Sequence, residues 1–114
     1  MAFCFYTGAI YAQDPPATDT MSYYRSQIDT LDQQLIDLLG QRMKAARAIG
    51  SYKLEHKIGV LQSARFEKVL EAAIRRGKAW KLSEAFVRAF YNEVHKESIW
   101  QQEQLRAGKK QAAQ

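Results

Sequence analysis

Apolar residues recur every three or four positions along most of this chain. From Ser22 onward they fall at Ile28, Leu31, Leu35, Leu38, Leu39, Met43, Ala46 and Ile49, the spacing of one helical face. No proline interrupts the run. The spacing therefore predicts a single helix from near Ser22 to near His56, about 35 residues and roughly 50 Å at 1.5 Å per residue. Such a helix is too long to bury its stripe within a small domain, which marks it as a partner-binding element. Gly40 and Gly50 lie inside it at a cost of about 1 kcal/mol each relative to alanine, so both are expected at close contacts. His56-Lys57-Ile58-Gly59 breaks the pattern. A second helix is predicted from Gln62 or Ser63, carrying Phe66, Val69, Leu70 and Ile74 and ending around Gly77. Ser83 is a good N-cap for a third, followed by Glu84 and by Phe86, Val87, Phe90, Val94, Ile99 and Leu105. Residues 106–114 are polar and are expected to fray. The chain reads as all-α: long helix, short helix, long helix.

Composition narrows this little further. With 114 residues the chain holds one compact domain with a small core, which burial against a second copy would enlarge. Two prolines and six glycines argue against a turn-rich β fold. Cys4 is the single cysteine, which excludes an internal disulfide framework. His56 and His95 stand apart from each other and from Cys4, so no metal-ligand cluster is present in the sequence and both read as surface or packing residues. Residues 1–12 are apolar and uncharged, too short for the roughly 20 residues of a membrane span. They resemble the end of a secretory signal peptide with Ala12 before the cleavage point, although no basic residue precedes them and Ile10 is larger than usual there. On that reading the protein is exported or periplasmic and the mature form has no membrane segment; the alternative is a cytoplasmic chain. Residues 14–20 read as a linker. The expected organisation is an N-terminal segment over 1–20, a domain over 21–106 and a polar tail over 107–114.

The net charge of +5 fits nucleic acid, a membrane surface or a small anion, and chooses none of them. Position says more. Arg42 and Lys53 are eleven residues apart, close to three full turns, and so share a face about 16 Å apart along the axis. Arg25 is seventeen residues before Arg42, about 25 Å away and rotated by roughly a quarter turn. Only an antiparallel partner helix would carry Arg25 back to the other two. Lysines and arginines ordinarily lay their stems along the edge of an apolar stripe. Arg42 departs from that habit because it takes a core place between Leu39 and Ile49, and a buried guanidinium needs an anionic partner. Arg65 opens the second helix beside Phe66. On the third, Ser98 and Gln102 are four residues apart and share a face.

Together these residues resemble the all-helical, type II chorismate mutases. The likeness runs from about Tyr24 to Gln102: R-x-x-I-D-x-L-D from Arg25, L-I-D-L-L-G-Q-R-M from Leu35, I-G-S-Y-K from Ile49, V-L-Q-S-A-R-F from Val60 and H-K-E-S-I-W-Q-Q from His95. It implies an intertwined homodimer with two equivalent sites, acting in the synthesis of aromatic amino acids. By this likeness Arg25 reaches in from the partner subunit and joins Arg42 and Arg65 on the substrate's carboxylates. Lys53 and Gln102 address the ether oxygen, with Arg42 beside them, and Ser98 lines the pocket. The implied reaction, chorismate to prephenate, is a pericyclic shift that calls for no nucleophile, metal or redox cofactor. It calls for a flexible dianion to be held folded and for charge growing on the ether oxygen to be stabilised. Arginine forks grip carboxylates bidentately, while a lysine ammonium and an amide N–H donate to the oxygen.

The chain departs from the better-known members at two places. Phe66 stands where they have a glutamate that contacts the substrate's hydroxyl, and Gln62 where they have an aspartate. An aromatic ring cannot replace a carboxylate acceptor, and Glu67 points about 100° away on a helix. The nearest rival is therefore isochorismate pyruvate lyase, which resembles this chain in lacking that glutamate; the segments L-Q-S-A-R-F and H-K-E-S-I-W-Q favour the mutase. A helical dimer that binds nucleic acid is permitted by the charge. However, no basic cluster with interleaved aromatics supports it, and it leaves Arg42 unexplained. A non-catalytic member binding a protein partner has only Phe66 to recommend it.

Overall fold

The computed structural model describes residues 17–112, and the side chains of 19–112. The segment read as a signal peptide lies outside them. Three helices account for nearly all of this range: α1 over Ala17–Glu55, α2 over Ser63–Ala79 and α3 over Glu84–Ala112. No strand occurs among the described residues. The long–short–long, all-α reading holds, with two adjustments at the ends. α1 begins at Ala17, so residues 17–20, expected in a linker, form its first turn. Asp19 in that turn places negative charge at the positive end of the helix dipole. α3 continues to Ala112, through residues expected to fray.

Local chemistry explains the breaks. Lys57 adopts φ 55°, and the Ile58 N–H donates back to the Lys53 carbonyl at 2.8 Å, a left-handed stop that caps the end of α1. α2 ends in the same way: Lys81 has φ 61° and the Leu82 N–H donates to the Gly77 carbonyl at 2.9 Å. Ser83 starts α3 as the sequence predicts, its Oγ accepting the Phe86 N–H at 3.2 Å.

The chain divides into two units, one ending at Leu38 and the other running from Leu39. The first contains the N-terminal part of α1, on which Ile28, Leu31, Leu35 and Leu38 are all exposed. The second holds the core. Met43 and Ala46 of α1 are buried against Val94 of α3, with Leu39 and Phe90 packed around them. Leu70 and Ile74 of α2 are buried against Val87, flanked by Phe66, Ala73 and Tyr91. α3 is thus the common wall of both clusters, its apolar positions repeating at helical spacing. Close approach is visible at Gly50, where a Cβ would lie 2.7 Å from Gln102 Cγ. The matching expectation for Gly40 fails: a Cβ there meets nothing within 4 Å.

Candidate active site

The second unit encloses a cleft of about 410 Å³ between the C-terminal part of α1, the 56–62 loop, α2 and α3. Five of the six residues singled out in the sequence line it: Arg42, Lys53, Arg65, Ser98 and Gln102. Each arrives by helical spacing. Arg42 and Lys53 come from one face of α1, Arg65 from the first turn of α2, and Ser98 and Gln102 from adjacent turns of α3. Arg25 belongs to the first unit, where it is exposed on α1, and is not among the lining residues. Arg42 is not buried in the core as its place in the stripe implied; it is an exposed residue on the cleft wall. The core closes with Met43 and Ala46 alongside it.

Lys53 is the centre of the polar network. Only 7% exposed, its Nζ donates to the Val60 carbonyl at 2.9 Å and to Gln102 Oε1 at 3.5 Å. Gln102 Nε2 in turn reaches Ser98 Oγ at 3.4 Å. The bond to Val60 is of ordinary strength, whereas the other two lie beyond the usual 2.7–3.2 Å range. Lys53 and Gln102 are therefore held in place by the fold yet keep donors loosely engaged. Burial pushes the Lys53 ammonium below its ordinary pKa of 10.5, and the Arg106 guanidinium pushes in the same direction.

Two residues of this region escaped the sequence reading. Arg106 donates from a terminal guanidinium nitrogen to the Ile58 carbonyl, tying α3 to the loop that presents Val60 to Lys53, while its Nε is buried without a partner. His95, read as a surface or packing residue, lines the cleft and stacks on Phe66 with ring centroids 4.0 Å apart and planes inclined by 16°. Burial, then Arg42 and Lys53, hold its pKa below the usual histidine range. A signal for both was present. His95, Ser98, Gln102 and Arg106 fall at intervals of three, four and four, a single stripe on α3.

The lining residues include three cations and no carboxylate. Among the described residues the only ion pairs are Arg88–Glu84 and Lys96–Glu93, both well exposed and of little energetic weight. The cleft is built to receive negative charge, with donors from three helices converging on it.

Comparison with known proteins agrees with this chemistry. Over 90 residues the chain is 24% identical to the bifunctional chorismate mutase/prephenate dehydratase of Buchnera aphidicola subsp. Acyrthosiphon pisum (strain APS), a match covering 79% of this chain and 23% of that protein. Over 78 residues it is 30% identical to the 4-amino-4-deoxychorismate mutase of Streptomyces pristinaespiralis, covering 68% of this chain and 60% of that protein. The chain thus spans less than two thirds of the length of either relative. Residues 24–103 match the family model described as chorismate mutase type II, a range that contains every residue lining the cleft, and the chain belongs to that family.

Proposed function

We propose that this protein is a chorismate mutase that rearranges chorismate to prephenate in a site shared between two copies, with residues 21–106 as the catalytic domain. The observation that carries the proposal is the convergence of Arg42, Lys53, Arg65, Ser98 and Gln102 on one cleft. Arg42 and Arg65 bind the substrate's carboxylates. Lys53 and the Gln102 amide donate to the ether oxygen as its carbon–oxygen bond breaks and the new carbon–carbon bond forms. The reaction is an isomerisation; no atom enters or leaves and no proton is transferred. The residues act by confining the dianion in a folded shape and by stabilising charge on the departing oxygen, for which each well-aimed donor is worth about 10²–10³ in rate. Arg25 of a second copy supplies the third carboxylate contact. The exposed Ile28, Leu31, Leu35 and Leu38 support this pairing, since dimerisation would remove them from water.

The Streptomyces relative is named for an amino-substituted substrate. A cleft with three lining cations and no carboxylate disfavours a ring ammonium, which would meet like charge without a counter-ion. The uncharged hydroxyl of chorismate meets no such penalty. Purified protein incubated separately with chorismate, 4-amino-4-deoxychorismate and isochorismate tests the assignment. Prephenate from chorismate, at a kcat/KM well above that for the amino compound, is expected. Salicylate and pyruvate from isochorismate, without prephenate from chorismate, would overturn it in favour of the lyase.

A further inference from the structure

Each polar group in the cleft has a limited inventory of donors and acceptors. Arginine and lysine side chains only donate. The Val60 carbonyl and Gln102 Oε1 accept from Lys53, and Ser98 Oγ accepts from Gln102. Two uncommitted side-chain acceptors remain on the lining, Gln62 and His95. Gln62 is exposed at the N-cap of α2 and makes no side-chain capping bond, so its amide is open to solvent. His95 is half-buried, and neither ring nitrogen has a hydrogen-bond partner among the described residues. A half-buried acceptor, already partly stripped of water, gains more from a ligand donor than one on an exposed side chain.

The ring is also held in place. Phe66 stacks on it, and turning the imidazole out of that plane would give up the favourable contact between the rings. Burial, and then the positive field of Arg42 and Lys53, favour the neutral imidazole, in which one nitrogen carries hydrogen and the other bears a lone pair. A folded chorismate-like dianion offers a single O–H, on its ring. Since the cations claim the carboxylates and the ether oxygen, that O–H is the substrate group still needing an acceptor.

We propose that His95 accepts the hydrogen bond of the substrate's ring hydroxyl, with Phe66 as the plate that orients the imidazole, so that residues 66 and 95 together determine which ring substituent is accepted. This rests on the mutase reading above. His95 is a specificity-determining residue here, one that the bond-breaking step does not require.

The test is the ratio of kcat/KM for chorismate to that for 4-deoxychorismate, measured in wild type, His95→Phe, His95→Gln and Gln62→Ala. The wild-type ratio is expected to be on the order of 10–100, the discrimination that follows when a bound substrate shuts water out and leaves the acceptor unpaired. His95→Phe keeps a ring against Phe66 but has no acceptor, and its ratio should collapse to near one. His95→Gln retains an acceptor and should restore part of the preference. Equal losses on both substrates in His95→Phe, with the ratio intact, would reduce His95 to a packing residue and overturn the proposal. Collapse of the ratio in Gln62→Ala instead would transfer the role to Gln62. Failure of the mutase reading shows separately, as wild-type protein that neither binds nor turns over either compound, and the proposal falls with it.

Discussion

Lys53 shows how a side chain can be both buried and held by a polar partner. Its ammonium is anchored by the Val60 carbonyl, while burial and then Arg106 lower its pKa from 10.5. Activity that needs the charged form should therefore decline as pH rises through a value below the ordinary lysine range. Stability follows the opposite course. The folded state gives up this proton before the unfolded state does, so between the folded pKa and 10.5 the unfolded chain binds more protons and stability rises with pH. An alkaline loss of kcat/KM in that window, with the thermal midpoint unharmed, is the expected signature. Arg106→Met removes the neighbouring cation and should move the alkaline limb to higher pH, even as it loosens the loop at Ile58. His95 does not confuse the reading, because its own pKa is shifted downward, away from this range. An unmoved limb in Arg106→Met would show that burial alone sets the Lys53 pKa. The cations were legible in the sequence because charge stands out against an apolar stripe. His95 was not, since a lone histidine at helical spacing is usually a packing residue, and only the third dimension shows its ring against both Phe66 and the cleft.

At the scale of the helix, two glycines of α1 have opposite characters. A methyl group at Gly50 would press on Gln102 Cγ at 2.7 Å and on Leu105 Cδ1 at 3.2 Å. Gly50→Ala should cost about 1–3 kcal/mol through overpacking and lower kcat by displacing Gln102, despite alanine's better helix propensity. Gly40 meets nothing within 4 Å, so Gly40→Ala should stabilise by roughly 0.5–1 kcal/mol. Denaturant unfolding of both variants measures this. A loss at Gly40 would mark a contact made with a second copy. The sequence leads to close contacts at both glycines, which within the chain holds for Gly50 and not for Gly40. Helix centres were legible because the apolar period extends over many turns. The ends were less so, and for local reasons: the start of α1 was hidden by the reading of residues 14–20 as linker, and both left-handed stops are made by lysines, not the customary glycine.

The whole molecule is where the proposed dimer is tested. Within the second unit Met43 and Ala46 find partners, whereas the stripe continues through Ile28, Leu31 and Leu35 without burial. The proposed dimer accounts for this continuity of pattern with its divided outcome. Arg25→Ala and Arg42→Ala homodimers should each lose nearly all activity without losing helicity. Mixing the two should restore one working site per heterodimer, since one of its two sites combines an intact Arg25 with an intact Arg42. A mixture no more active than its components would contradict a site shared between copies. The proposed pairing rests on the helical spacing of Arg25 from Arg42, and no single-chain geometry supplies the partner's side of it.

The cleft's one-sided charge has a consequence for how the protein responds to its medium. Arg42, Lys53 and Arg65 line it without a carboxylate, and Arg106 adds its field to Lys53. Like charges gathered this way repel one another, most directly Arg106 and Lys53. Dissolved salt screens such repulsion over about 10 Å at 0.1 M, and so strengthens the fold. The same ions would weaken the attraction for the proposed dianionic substrate. Ionic strength therefore sets stability against substrate affinity in this protein, through one cluster of side chains.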